Sequence, residues 1–450
     1  MSARSLYNGG MRAFAWALLA GLCGCSPFGG GAFSCELDSQ CQGGPRAGRC
    51  ETSVGFCSFE DSSCSSGRRY GDASGPQSGV CVGEEVPIDA PTTDDGDVTV
   101  DMAPGVDART CFGTPHEICL TVLPTGTRTL PATINTDTQC DQVETPTGGV
   151  PLCVVTGAQI TINNTRAEGS RPLVIVATES INVTGNLDVS SKRMGPSGAG
   201  ANAAACVAAT NGENDGGGAA GGGGGGFGAA GGTAGNGDDN NNGGAAGNAT
   251  GGTGGAMSLS TFIRGGCKGA NGGSTNGPNN GSNDGTNFGP GSNGGGAVYL
   301  IAGTTITVAA NGTISASGGG GSPGLDQSGG GGGGGSGGLI GLDATTITIT
   351  GELSANGGGG GGGAGTSNGG NGGDGAQPGA AADWDQRAGG GTAGAQSLSP
   401  GGQGGTTGNL AGAGTNNSDG GSGGGGGGVG VIWVHGTLTG TKVSPPITPH

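Results

Sequence analysis

Three stretches decide how this chain folds: LVIVATESINVTGNLDVSS (residues 173–191), VYLIAGTTITVAANGTISASG (298–318) and LIGLDATTITITGELSANG (339–357). Aligned, they place Ile181, Ile306 and Ile347 in one column, Val183, Val308 and Ile349 in a second, and Leu187, Ile314 and Leu353 in a third. Apolar and polar residues alternate within each run, and Gly or Asn breaks the runs; a period of two with such breaks is the signature of short strands. CVVTGAQITINNT (153–165) fits as an earlier member through Ile160 and Ile162, and VIWVHGTLTG (431–440) as a final partial one. Units this short cannot bury a face alone and must stack on one another. Stacking with parallel pairing gives a parallel β-helix of few rungs, whose inward ladder of aliphatic side chains is the core. The competing arrangement is an antiparallel sandwich, since alternation does not set strand direction. Either way the fold class expected is all-β.

Composition agrees. Of 450 residues 117 are Gly, against a usual share of ~7%. With 9 Phe, 3 Tyr and 3 Trp the chain cannot fill several ordinary cores, but a ladder of Ile, Val and Leu needs no aromatics. Collagen is excluded, because Gly does not recur strictly every third residue and Pro numbers only 21. No apolar run reaches the ~18 residues of a membrane-spanning helix. Sixteen Lys plus Arg against 33 Asp plus Glu leave a net charge of −17. Phosphate backbones repel such a chain, so no nucleic-acid partner is expected.

The rungs are separated by Gly-rich insertions, residues 192–297, 319–338 and 358–430. Each leaves after the DVSS, SASG or SANG strand and returns before the next apolar strand, so all three should project from one edge. Two readings stand. One is flexible coil, because Gly, Ser and Asn tracts lack apolar surface to offset ordering entropy. The other is polyglycine-II packing, in which extended helices of three residues per turn lie side by side and bond through their backbones. The runs Gly221–Gly226, Gly329–Gly335, Gly357–Gly363 and Gly423–Gly428 permit that close approach. They resemble the Gly-rich bundles of certain antifreeze proteins and phage fibre tips.

The N-terminus reads as an address. Arg4 and Arg12 precede the apolar stretch AFAWALLAGL (13–22), which has the length of a signal-peptide core. Leu22-Cys23-Gly24-Cys25-Ser26 follows, and it resembles a bacterial lipoprotein signal. That resemblance implies a signal peptide over 1–25 with lipidation at Cys25; Ser26, not being Asp, implies outer-membrane retention, and the cell surface is the expected localisation. A simple cleaved signal is the plainer alternative, and Met11 is an alternative start. Residues 26–34 form a tether, 35–82 a disulfide-rich module, 83–109 an acidic, Pro-containing linker and 110–450 the Gly-rich β domain.

Cysteine usage fits export. Of 14 cysteines, Cys23 leaves with the signal and Cys25 carries lipid; the even remainder reads as disulfides. Cys35, Cys41, Cys50, Cys57, Cys64 and Cys81 form one group, Cys111, Cys119, Cys140 and Cys153 a second, and Cys206 and Cys267 stand apart as a pair. Spacing does not choose the pairing within the larger groups. The mature chain has no C-x2-C pair of the kind zinc sites use. Arg68 and Arg69 beside Tyr70 suggest either a sugar or phosphate contact or a solvated pair capping a disulfide loop. The six-Cys module resembles small Cys-rich modules near the N-termini of exported proteins of myxobacterial-type predatory soil bacteria.

Signals for chemistry are sparse. The histidines are His116, His435 and His450, and His435 near Trp433 reads as a packed or rim residue. Nucleophile-elbow, zincin and P-loop motifs are absent. Polysaccharide-active β-helices need convergent carboxylates, whereas Glu179, Asp188, Asp343 and Glu352 align at different rung positions without evident partners. No enzyme activity and no cofactor are therefore expected. Gly369-Gly370-Asn371-Gly372-Gly373-Asp374 matches part of a calcium-binding nonapeptide, which makes Asp374 a weak calcium candidate, although a Gly-rich tract produces such a match by chance. Thr305-Ile306-Thr307 over Thr346-Ile347-Thr348 resembles the Thr ladders of ice-binding β-helices, although outward Thr is ordinary in strands. The 110–450 region as a whole resembles Gly-rich β-helical surface proteins of Gram-negative bacteria. The implied role is a non-enzymatic lipoprotein in adhesion or envelope structure, membrane-bound through its lipid and contacting carbohydrate, extracellular matrix or another cell through a Gly/Asn/Thr-rich surface. The alternatives are a polysaccharide-active β-helix enzyme, or an ice- or calcium-binding surface protein.

Overall fold

Alternating apolar residues become strands throughout, and no α-helix occurs among the described residues. The computed structural model describes residues 35–83 and 110–449 apart from short internal stretches, the longest being 238–248, 276–285 and 376–384. The signal, Cys25, the tether, the acidic linker and Asp374 lie outside the described residues. The chain divides into two units, Met1–Pro104 and Gly105–His450.

In the first unit, the strands Arg49–Glu51, Phe56–Glu60 and Arg68–Tyr70 form an antiparallel sheet. So few large apolar residues need covalent help to hold together. Cys35 bonds to Cys50, Cys41 to Cys57 and Cys64 to Cys81. Cys35, Cys41, Cys50 and Cys57, with Phe59 against them, are themselves the core.

In the second unit the long strands pair in parallel. Leu152–Glu168 pairs with Leu173–Asp188, which pairs in turn with Ala297–Ala302, Thr305–Val308 and Thr313–Ser315. The last three pair with Leu339–Ile349 and Glu352–Ser354, and Leu339–Ile349 with Val431–Thr439. Leu173–Asp188, Ala297–Ala302, Thr305–Val308 and Leu339–Ile349 thus close a ring of parallel pairings. The antiparallel sandwich does not describe these strands. Ile160, Ile181, Ile306, Ile347 and Leu438 stand in one register, as do Thr165, Leu187, Ile314, Leu353 and Val443. All the Ile of the first column are fully buried, and each such side chain contributes roughly 1.5–3 kcal/mol relative to exposure.

The first strand of each repeat is buried on both faces. Its inward residues, such as Leu173, Val298 and Ile340, join the main core. Its other face, with Val174, Tyr299 and Trp433, packs with Ile118, Leu120, Phe227 and Ile263. Residues 110–152 supply the first edge: Thr127–Thr129 and Thr133–Asn135 pair parallel with Leu152–Glu168, while Gln142–Glu144 pairs antiparallel. Cys140–Cys153 ties that edge to the strand, and Cys111–Cys119 closes a separate hairpin.

The Gly-rich segments leave and return on one side. Val189, Ala316 and Ala355 continue the parallel register beyond the strands, donating to Ser315, Ser354 and Ser444. The returning Gly296, Gly338 and Gly430 donate back to Val189, Ala316 and Ala355. Between these points the backbone bonds rotate with a period of three. Gly330, Gly333 and Ser336 donate to Gly273, Ala270 and Cys267; Gly331, Gly334 and Gly337 to Ser422, Gly425 and Gly428; Gly332, Gly335 and Gly338 to Ser322, Gly319 and Ala316. Their carbonyls accept from three further segments, around Gly289–Gly295, Gly222–Gly225 and Gly358–Gly361. A Cβ on Gly331 would meet the Gly361 carbonyl oxygen at 2.2 Å, and one on Gly333 would meet that of Gly223 at 2.0 Å. Each Gly from 330 to 335 therefore faces a neighbour's backbone where only Gly fits, whereas Ser336 turns its hydroxyl to accept the Cys267 N–H at 2.8 Å. Peripheral segments relax the rule: in Gly251-Gly252-Thr253-Gly254-Gly255-Ala256, Thr253 and Ala256 are exposed while Gly252 and Gly255 donate inward to Gly221 and Gly224. Each bond contributes about 0.5–1.5 kcal/mol net against an ordering cost of about 1–2 kcal/mol per residue. Anchoring at both ends, by the strands and by Cys206–Cys267, shifts that balance toward order.

Candidate binding surface and a buried aspartate cluster

On the middle strand of each repeat, the residues flanking the buried Ile column face outward, as strand geometry requires. Pairing through consecutive strands builds two outer columns. One runs Thr127, Gln159, Ser180, Thr305, Thr346 and Thr437; the other runs Thr129, Thr161, Asn182, Thr307, Thr348 and Thr439. All are exposed or half-buried. None carries a charge. Neighbouring rows are ~4.8 Å apart and the two columns ~6.7 Å apart, the repeats of a pleated sheet. The hydroxyls interlink sparsely: Thr439 donates to Thr348 Oγ1 at 3.3 Å and Thr127 to Gln159 Oε1 at 3.4 Å.

The second feature is Asp343, which faces His435 across the next parallel pairing. Its Oδ1 lies 3.0 Å from His435 Nδ1, and its Oδ2 accepts the Thr114 N–H at 2.5 Å and the Tyr299 hydroxyl at 3.3 Å. Burial first, and the Asp343 charge second, push the Tyr299 hydroxyl pKa well above its ordinary value, so it stays a neutral donor. His116 stacks on Trp433, centroids 5.1 Å apart, and meets Tyr299 edge-on at 5.8 Å. With three donors aimed at it, the carboxylate serves as a tie between Thr114 and the sheet.

The expectation that the rung carboxylates lack partners is corrected. Besides Asp343, Asp188 pairs with Arg166 at 2.6 Å, Glu179 accepts from Gln159 at 2.6 Å and Glu352 lies 3.8 Å from Lys442. All four partners, Arg166, Gln159, His435 and Lys442, sit on the adjacent repeat, which a reading of each repeat by itself misses. Aligning VIWVH with LIGLD would have brought His435 to Asp343. That alignment alone would not have found Thr437 and Thr439, which meet Thr346 and Thr348 only after a one-residue register shift beyond Asp343; Thr127 and Thr129 carry no aliphatic repeat around them to signal their place.

In the first unit, Arg69 pairs with Asp61 at 2.6 Å, while Arg68 donates to Ser58 Oγ at 2.9 Å and to the Ser58 carbonyl at 2.7 Å. Both guanidiniums are thus engaged inside the module. The Ser63 hydroxyl, and then Arg69, hold the Asp61 carboxyl well below the usual carboxylate range. Among the described residues, two clusters gather donor atoms of the kind metals use, Cys35/Cys41/Cys50 and Cys111/Glu117/Cys119; their sulfurs are committed to disulfides. In the stretch matching a calcium nonapeptide, Gly369 and Gly372 donate to Gly324 and Gly321, and Asn371 is exposed. Cys206 and Cys267 are joined, as their isolation in the sequence suggested. No helix among the described residues is long and apolar enough to cross a membrane. Compared with protein-family models, curated proteins and solved structures, the chain shows no match.

Proposed function

We propose that Gly105–His450 is a parallel β-helix braced by a bundle of polyglycine-II helices, and that the protein is a non-enzymatic surface lipoprotein acting in adhesion or envelope structure. The observation that carries the scaffold reading is the threefold rotation of bonds along 330–338, which is the symmetry of a three-residue helix. A large volume of this unit is backbone bonded to backbone, with no side chain available for chemistry. What the unit offers its surroundings is a fixed, hydrogen-bonding exterior, including two columns of uncharged side chains, suited to carbohydrate, matrix or another cell. The lipobox ending in Cys25 and the acidic linker support anchoring in the outer membrane with reach beyond it.

Fractionation tests this. Cys25→Ala, or globomycin treatment, should move the protein from the membrane to the soluble fraction, and external protease should digest it on intact cells expressing the wild type. A soluble wild-type protein, or full protection from protease, would overturn the surface-lipoprotein reading. Asp343 with His435 supports a competing enzyme reading. Turnover of any member of a polysaccharide panel, lost in Asp343→Asn, would favour it.

A further inference from the structure

We infer that the paired outer columns over the Ile ladder form an ice-binding face. The inference rests on the scaffold reading above and goes beyond it in naming the partner. The chain carries a net charge of −17, yet no residue of either column, from Thr127 and Thr129 to Thr437 and Thr439, is charged; the exposed Glu179 beside Ser180 borders the first column, its carboxylate held by Gln159 at 2.6 Å. A face that binds ions, peptides or anionic glycans would hold charge; one that meets an uncharged lattice excludes it, because ionic groups keep their own hydration shells. Aromatic side chains, which supply stacking for sugar rings, are also missing from both columns. What remains is Thr at all but Gln159, Ser180 and Asn182. Each Thr presents a methyl and a hydroxyl, and β-branching limits its χ1 freedom. Parallel in-register pairing repeats that presentation at ~4.8 Å along the stack and ~6.7 Å across it. Such a plane orders water into a two-dimensional array that can merge with a crystal face.

Rigidity matters as much as spacing, since a flexing sheet would lose registry with a lattice over several rows. The fully buried Ile181, Ile306 and Ile347 lie directly beneath the face. The backbone-bonded Gly segments start where the third strand of each repeat ends, at Val189, Ala316 and Ala355. They clamp the repeats together one strand beyond the Thr array in each repeat.

The test is partition into growing ice. Full-length protein is dissolved in dilute buffer, a polycrystalline ice mass is grown slowly, and the fraction inside is compared with a non-binding control protein. Wild type should be retained in ice. Thr307→Lys/Thr348→Lys should fall to the control level with its circular dichroism and melting temperature preserved, and Thr233→Lys, at an exposed position in a Gly-rich segment, should behave as wild type. If the double variant does not fold, Thr346→Lys alone should show the same loss. Exclusion of wild type from ice, or equal retention of the face variants, overturns the inference. So does sedimentation of wild type with insoluble chitin or cellulose while it is excluded from ice, which would assign the face to polysaccharide. Surface fractionation reads the lipoprotein proposal separately, so either can fail alone.

Discussion

Tyr299 lies across Gly341, its partner on the next strand, so closely that a Cβ on residue 341 would come within 1.9 Å of the ring. The aromatic ring and the missing side chain are one feature: Gly341 is the seat for Tyr299, and Trp433 takes the facing position beyond it. Gly341→Ala should therefore destabilise the second unit by about 1–3 kcal/mol through overpacking. Urea unfolding would check this, and a change below about 0.5 kcal/mol would mean that the ring moves aside freely.

The Gly bundle separates interior from peripheral positions sharply. A Cβ on Gly334 would sit 2.1 Å from the carbonyl oxygen of Gly358, and backbone on both sides prevents relief. Gly334→Ala should cost about 3 kcal/mol or more, at the upper end of overpacking. Asn371→Ala, at an exposed position, should stay within about 0.5 kcal/mol of wild type. Comparable effects at the two sites would contradict dense packing around Gly334.

Stability should decline in alkali through Tyr299. Its folded-state pKa is raised by burial and by Asp343. Its contribution is complete below the ordinary tyrosine value of ~10 and is lost as pH rises further, because the unfolded chain releases the proton while the folded chain retains it. Tyr299→Phe should flatten this part of the stability–pH curve. Parallel curves for the two proteins above that pH would exclude the effect.

The disulfide Cys206–Cys267 spans 61 residues. Chain-entropy reasoning assigns such a closure about 4 kcal/mol. Cys206→Ser/Cys267→Ser should lower the melting temperature of the second unit and leave that of the first unit unchanged, as read by calorimetry on the full chain.

Much of the strand architecture was legible because Ile181, Ile306 and Ile347 repeat within strands that have a period of two. Direction was not, since alternation is the same in parallel and antiparallel sheets; the structure settles it through pairings such as Ile181 with Ile306. The pairing of Cys206 with Cys267 was legible by isolation, whereas Cys35–Cys50 and Cys41–Cys57 depend on how the small sheet folds. The period of three in Thr250-Gly-Gly-Thr253-Gly-Gly-Ala256 was present to be read. It is diluted over the whole chain because interior runs such as Gly329–Gly335 have no third residue to mark it. Which run lies beside which was illegible in principle: identical glycines carry no label, and long loops bring together Gly334 and Gly425.

That anonymity has a consequence for how such a gene can change. Gly330, Gly333 and Ser336 all turn toward the same neighbouring segment, so adding or deleting one whole triplet in a glycine tract restores every bond direction one turn further along. A single-residue slip instead rotates all later donors away from their acceptors. Repeat-driven length variation should therefore accumulate in steps of nine nucleotides, while intermediate steps are purged.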